Sequence, residues 1–320
     1  MDTNSISANK PKLMRDTVID TICDAAEIDK DIIFITADLG AASLDRFRRD
    51  LPDQFIHAGI SEQNMVDLAS GLALSGKKVF LYAMAPFITA RCYEQIKSVL
   101  ASMNLPVTLL AVGVGLGYDH ATLTHFTTED VACMRSLNGI EVLSPSDEES
   151  ATAITNEAIK NPAFRYIRLE RQKQERLYHG HFSTVLGQGF VHLVKGSDLA
   201  IIACGYMVHK ALGAQKILEE RGVSAGVIDL FRIKRINAKG LAEALSQYAY
   251  LVTVEEQILE GGFSSAVLEA LTDQNVMMPV KRLGIRDGFN VLNGDRDQLH
   301  ELYGIDMPKI VDAALSLKEA

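Results

Sequence analysis

Two kinds of segment alternate regularly along this chain, and that alternation limits its possible folds more than any other feature. Short, β-branched apolar runs at 31–36, 78–82, 107–112, 140–143 and 164–169 are bounded by turn residues, and longer amphipathic stretches such as 90–103 and 147–160 lie between them. Apolar runs of this kind suit strands covered on both faces, and strands that alternate with helices pair mostly in parallel. A polar, irregular stretch at 171–187 reads as a linker. The pattern then resumes with strand-like runs at 199–204, 225–230 and 251–254 and a helix over 208–221. The expected architecture is α/β, with two domains at 13–178 and 188–320, each a mostly parallel sheet sandwiched by helices, after a flexible tail at 1–12.

A chain of 320 residues, 48% hydrophobic and 23% charged, is long enough for two cores and has the make-up of a soluble globular protein. Its net charge of −9 argues against nucleic acid as a main partner. No run of 18 apolar residues is present, so no membrane span is expected, and the polar first dozen residues lack the apolar core of a signal peptide. Cys23, Cys92, Cys133 and Cys204 are far apart and form no CxxC pair, which fits buried thiols in a reducing cytoplasm.

The densest motif is Gly59-Ile-Ser-Glu-Gln-Asn-Met65 followed by Gly71-Leu-Ala-Leu-Ser-Gly76. It sets one carboxylate, Glu62, at the start of a helix in which Met65, Leu68, Ala69, Leu72 and Leu74 recur at roughly helical spacing among small residues. A helix packed closely on its neighbours would desolvate a carboxylate at its mouth, and desolvation raises a carboxyl pKa. On spacing alone, the favoured reading is that Glu62 and Asn64 are first-turn residues stabilised by the helix dipole, with Ser61 as N-cap.

This pair of motifs resembles the signature of the pyrimidine-binding domain of transketolases. The second half resembles the transketolase C-terminal domain through Val252-Thr-Val-Glu-Glu256 and Gly261-Gly-Phe-Ser-Ser265, so the likeness covers nearly the whole chain. It implies thiamine diphosphate as cofactor, with Glu62 hydrogen-bonding N1′ of its aminopyrimidine and promoting the tautomer that removes the C2 proton, and with Gln63 beside it. By the same likeness Thr36-Ala-Asp-Leu39 brings Asp38 and Leu39 to the cofactor, and the family's phosphate-contacting serine falls near Ala42, next to Ser43. In Met84-Ala-Pro-Phe87-Ile-Thr-Ala-Arg-Cys-Tyr-Glu-Gln95, Phe87 matches the aromatic that stacks on the pyrimidine and Met84 stands where a second aromatic often sits. Without the likeness Phe87 reads as a core residue.

The loop Gly113-Val-Gly-Leu-Gly-Tyr-Asp-His-Ala-Thr-Leu-Thr-His125 lacks a GxGxxG before a helix, so a dinucleotide site is a weak reading. It resembles the transketolase loop whose polar residues contact sugar hydroxyls. That likeness makes Asp119 and His125 substrate-side candidates, His125 with a proton-relay role as well, and His120 an added imidazole in a loop about two residues longer. Arg168-Leu-Glu-Arg-Gln172 resembles the element whose arginine clamps a sugar phosphate. Arg171 is the match, and Arg15 matches a second phosphate-side arginine, although Ala111 stands where the family has a phosphate-assisting histidine. A solvated arginine remains the plain reading of Arg171. His179 and His181 read as exposed, Glu255 and Glu256 as structural or interface residues, and no metal site is assigned to this chain.

The Gly-Asp-Gly…Asn motif with which the family holds Mg²⁺ and the diphosphate is missing; Arg286-Asp-Gly-Phe-Asn290 lacks both the leading glycine and the spacing. The resemblance therefore implies the C-terminal subunit of a split transketolase, moving a two-carbon ketol unit between sugars or sugar phosphates. The Mg²⁺ and diphosphate ligands would lie on an N-terminal partner subunit, in an α2β2 assembly in which this chain also pairs with itself. The β-subunit of a 2-oxoacid dehydrogenase, a 1-deoxyxylulose-5-phosphate synthase-like enzyme and a non-catalytic subunit are the alternatives.

Overall fold

The structure is a computed structural model that describes residues 12–37, 40–288 and 293–319. The tail at 1–11, Asp38, Leu39 and the pair Phe289-Asn290 lie outside the described residues. In the first half the strands are β1 (Ile32–Thr36), β2 (Phe55–His57), β3 (Lys78–Met84), β4 (Val107–Val112), β5 (Glu141–Leu143) and β6 (Arg165–Leu169). The second half holds β7 (Val191–Val194), β8 (Leu199–Ala203), β9 (Ala225–Asp229), β10 (Arg232–Lys234), β11 (Tyr250–Ile258) and β12 (Val280–Ile285).

These form a seven-stranded sheet, ordered β10-β5-β6-β4-β3-β1-β2, and a five-stranded sheet, ordered β12-β11-β8-β9-β7. Every pairing is parallel except β10 with β5 and β7 with β9. The strands read as apolar runs are buried except at the ends of β3 and β11, because helices cover both faces: Ile33, Ile35 and Leu81 point into one core, Phe34, Phe80 and Tyr82 into the other. The two-domain α/β architecture is the expected one. The halves are more entwined than the sequence suggests, since β10 comes from the second half and completes the first sheet, where Arg232 pairs with Glu141 at 2.8 Å.

Two expectations change in detail. The helix Glu62–Leu74 buries one stripe (Glu62, Met65, Val66, Ala69, Ser70, Ala73) and leaves Leu68 and Leu74 exposed, because the sheet offers it a single packing face. The helix expected over 90–103 breaks up. A turn runs through Arg91, a short α-turn spans Tyr93–Gln95, and Ile96–Ala101 is a π-helix, a widened geometry often found beside functional sites.

The segment 171–187 is irregular apart from the short helix Phe182–Val185, yet it is anchored. The carboxylate of Asp147 caps the helix Glu148–Lys160 and also accepts the backbone N–H groups of Leu177 and Tyr178, both at 2.9 Å. Tyr178 and Phe182 are buried, and the Tyr178 hydroxyl donates to Asp229 at 2.7 Å. Burial raises the Asp229 carboxyl to about 7 despite that bond, so the folded chain keeps a proton there that the unfolded chain releases near its ordinary value of 3.8. The stability that this proton confers is complete below the unfolded value and is lost as pH rises towards 7. Asp229→Asn should therefore flatten the decline: denaturant melts of both chains between pH 4 and 8 should show the native chain losing, relative to the variant, on the order of a few kcal/mol. Parallel curves would show that Asp229 does not titrate in this window.

Candidate functional site

The candidate residues gather where the central strands of the first sheet end. In an open parallel sheet this edge leaves the strand C-termini uncovered, and loops converge there on a crevice. After β2, Gly59 turns the chain with a φ of +77°, and the helix Glu62–Leu74 starts with its carboxylate directed inward. Ser61 sits at the N-cap but donates to the Ala58 carbonyl at 2.6 Å instead of capping the helix.

Glu62 is only 4% exposed, and the guanidinium of Arg91 donates to it at 2.7 Å. The same guanidinium lies 4.1 Å from the centroid of the Phe87 ring. Beyond Phe87 the rings continue: His125 meets Phe87 edge-on at 5.4 Å, Tyr118 lies 5.6 Å from His125, and the Arg171 guanidinium sits 4.8 Å from the Tyr118 centroid. Glu62, Arg91, Phe87, His125, Tyr118 and Arg171 thus form one continuous row of side chains. Thr124 orients the row by a 2.9 Å contact between its hydroxyl and His125 Nδ1.

Arg15 joins the far end. Burial raises the Tyr118 phenol, while the charges of Arg171 and Arg15 oppose that rise. Burial likewise raises the Tyr82 phenol against the opposing charge of Arg15, and the enclosed Tyr82 hydroxyl makes no well-aligned hydrogen bond among the described residues. Arg15 contacts Asp16 at 3.3 Å, whereas Arg171 has no carboxylate partner among the described residues. A buried hydroxyl beside Arg15, with Arg171 free of a carboxylate nearby, leaves donors for an anionic or hydroxylated ligand.

The remaining candidates lie at the margin. Met84 ends β3, half-buried against the core, and Gln63 is exposed. Asp119 and His120 occupy a 3-10 turn in which the Asp119 carboxylate accepts the His120 backbone N–H at 2.8 Å, and the His120 side chain is exposed. His179 and His181 are exposed, and among the described residues no cluster of three or more His, Cys, Asp or Glu is placed to hold a metal ion. Arg91, Tyr118 and Tyr82 were not among the candidates. Arg91 stands where the similar transketolase element Gly-Arg-Ala-aromatic-Glu-Gln carries its arginine, against Ala90-Arg-Cys-Tyr-Glu-Gln95 here, and that match was the available signal.

Two glycines make the Tyr118 loop possible. A Cβ on Gly113, which has a φ of +78°, would fall 1.9 Å from the Tyr118 ring, and one on Gly115 would fall 2.4 Å from Glu256 of the second half. The loop is tied to β11 by a 2.9 Å bond from Ile258 N to the Thr128 carbonyl. Behind it, Arg296 is buried between Glu256, at 2.6 and 2.5 Å, and Glu170 at 2.9 Å, the residue just before Arg171. Glu255 accepts the backbone N–H groups of Phe263 and Ser264 at the start of the helix Phe263–Asp273, so both glutamates are structural.

The chain matches two family models in succession: the transketolase pyrimidine-binding domain over residues 10–175 and the transketolase C-terminal domain over residues 189–310. It is 35% identical to a subunit of the apulose-4-phosphate transketolase of Phocaeicola vulgatus over 96% of this chain and 98% of that one. It is 32% identical to a 6-deoxy-6-sulfo-D-fructose transketolase subunit of Clostridium sp. over 96% of this chain and 94% of that one. Among solved structures, one described as a split gene transketolase, inactive beta4 tetramer, superposes with a TM-score of 0.85 at 30% identity, covering 96% of this chain and 98% of that one.

Gly113→Ala should force Tyr118 out of the row, because neither the backbone conformation nor the ring position tolerates a methyl group. The strain and overpacking should cost about 1–3 kcal/mol, seen as a lower melting temperature. The His125 ring proton resonances should shift as its neighbour leaves, and unchanged resonances would show that the row does not depend on this glycine.

Proposed function

This chain belongs to the transketolase family, and from that premise we propose that it is the C-terminal subunit of a split transketolase, active with an N-terminal subunit that brings the Mg²⁺ and diphosphate ligands. The observation that carries the reading is the buried carboxylate of Glu62 at the mouth of its helix, facing the Phe87 ring across a gap spanned by one planar, cationic side chain. An aminopyrimidine has the planarity and the hydrogen-bonding edge to fill that gap, so the residues present fit thiamine diphosphate. When bound, that cofactor supplies the carbanion chemistry of ketol transfer.

The protein's part is positioning and proton control. Glu62, enclosed at the mouth of its helix, would hydrogen-bond pyrimidine N1′ of the bound cofactor. Phe87 offers a ring face, an arrangement that adds about 0.5–1.5 kcal/mol beyond area burial. His125, oriented by Thr124, serves a substrate oxygen as donor or proton acceptor. Arg171 and Arg15 would receive the phosphate of a sugar phosphate, and Asp119 and His120 are assigned to the substrate by the family motif alone. Asp38 and Leu39 are assigned to the cofactor by the family motif alone. Leu68 and Leu74, exposed on the helix that begins with Glu62, suit self-pairing of this chain in an α2β2 assembly. Among the described residues no helix is long and apolar enough to cross a membrane.

Glu62→Gln should slow hydrogen–deuterium exchange at cofactor C2 by orders of magnitude in the complex reconstituted with the N-terminal subunit, with folding intact. An unchanged exchange rate would remove Glu62 from this role. Arg171→Ala should raise KM for a phosphorylated sugar by about one to two orders of magnitude, since a hydrogen bond to a charged group contributes about 1.5–3 kcal/mol. A non-phosphorylated substrate should be almost unaffected, and equal effects on both would assign Arg171 a structural role.

A further inference from the structure

Arg91 and Tyr118 are the two members of the row to which the family reading gives no role, and Arg91 occupies the more consequential position. Its guanidinium is a flat cation with N–H donors along its edge. One donor reaches the Glu62 carboxylate at 2.7 Å, and the flat face lies 4.1 Å from the Phe87 centroid. These are the two contacts that the proposed function reserves for the aminopyrimidine: a hydrogen bond with Glu62 and a stack on Phe87. Both partners are then occupied by one side chain.

We infer that Arg91 is an internal stand-in for the aminopyrimidine, holding the slot in the cofactor-free chain and leaving it when the cofactor enters; this rests on the proposed function. The physical need for it is clear. A carboxylate as enclosed as Glu62, left without a partner, would be expensive to keep ionised, and a bare Phe87 face would be open to water. Arg91 answers both needs, and its own side chain is 41% exposed, so it has solvent to move into. The backbone helps. Thr89 breaks the short helix Ala85–Ile88 with φ −103° and ψ −81°, so Arg91 rides on a turn and not in a continuous helix.

A stand-in competes with what it imitates. Binding has to break the Arg91–Glu62 pair and uncover Phe87, which lowers apparent affinity by the population of the closed arrangement. Removing Arg91 should therefore strengthen binding at the slot while weakening the empty chain. A purely structural arginine gives the second effect without the first, and a permanent ligand contact gives weaker binding.

The test uses the full chain and the free aminopyrimidine alcohol that forms one half of thiamine, titrated into the millimolar range and followed by ligand-observed NMR. Arg91→Met, which keeps the length of the stem, should bind the probe at least several-fold more tightly than the native chain and melt at a lower temperature. Adding Glu62→Gln to Arg91→Met should recover part of the melting temperature, because no buried carboxylate is then left unpaired, and should weaken the probe. Equal or weaker binding by Arg91→Met than by the native chain overturns the inference and leaves the cofactor reading standing. No binding by either chain overturns the cofactor reading, and the inference with it.

Discussion

The buried guanidinium of Arg296 is the interaction on which the rest of the molecule depends. It is enclosed by the Glu256 and Glu170 carboxylates and by the Tyr206 ring, 3.7 Å from its centre, and His300 adds a 2.5 Å contact to Glu256. Burial pushes the Glu256 carboxyl up, but the charge and hydrogen bonds of Arg296 outweigh it and hold the group below the usual carboxylate range. A buried pair of this kind contributes little over well-packed apolar groups, whereas loss of one partner costs about 3–5 kcal/mol because an uncompensated charge remains. Glu170 ends the strand region of the first half and Glu256 lies on the interior strand β11 of the second, so the arginine fastens one sheet to the other. The fastening fixes the point at which the chain turns away as Arg171.

How much of this was legible in the sequence follows from burial. The strands read correctly from apolar runs are interior strands, together with β5, which β10 covers at its outer side. The four strands that left no readable run, β2, β7, β10 and β12, are the four edges of the two sheets. Edge strands are half-wet, and these show mixed burial in place of continuous apolar stretches. The sequence therefore disclosed the layered α/β plan and its centre, but neither the boundaries of the sheets nor the loan of β10 from one half to the other. The helix Glu62–Leu74 shows the converse limit. Its leucines carry helical periodicity on more than one side, and periodicity alone does not say which side meets the protein's own core.

The site was legible where residue type and motif coincided. Glu62, Phe87, His125 and Arg171 fall into one row in the structure, although they are spread over more than a hundred residues of chain. Arg91, Tyr118 and Tyr82 escaped because their meaning lies in tertiary contact. An arginine on a surface-like turn and tyrosines near strand ends are ordinary until their neighbours are known. Asp119 illustrates the opposite case, a motif residue whose carboxylate is engaged by its own turn.

The glycine-rich loop carries a last consequence. It belongs to the first half in sequence, yet Gly115 lies against Glu256, Thr128 is hydrogen-bonded to β11, and Arg296 secures the same glutamate. The wall on this side of the row is thus built by both halves, and its shape is not a property of the loop alone. Grafting a relative's loop into this chain would import one side of a fitted joint without the other. A new shape for this wall therefore calls for matched changes in the loop and in the strand that buttresses it.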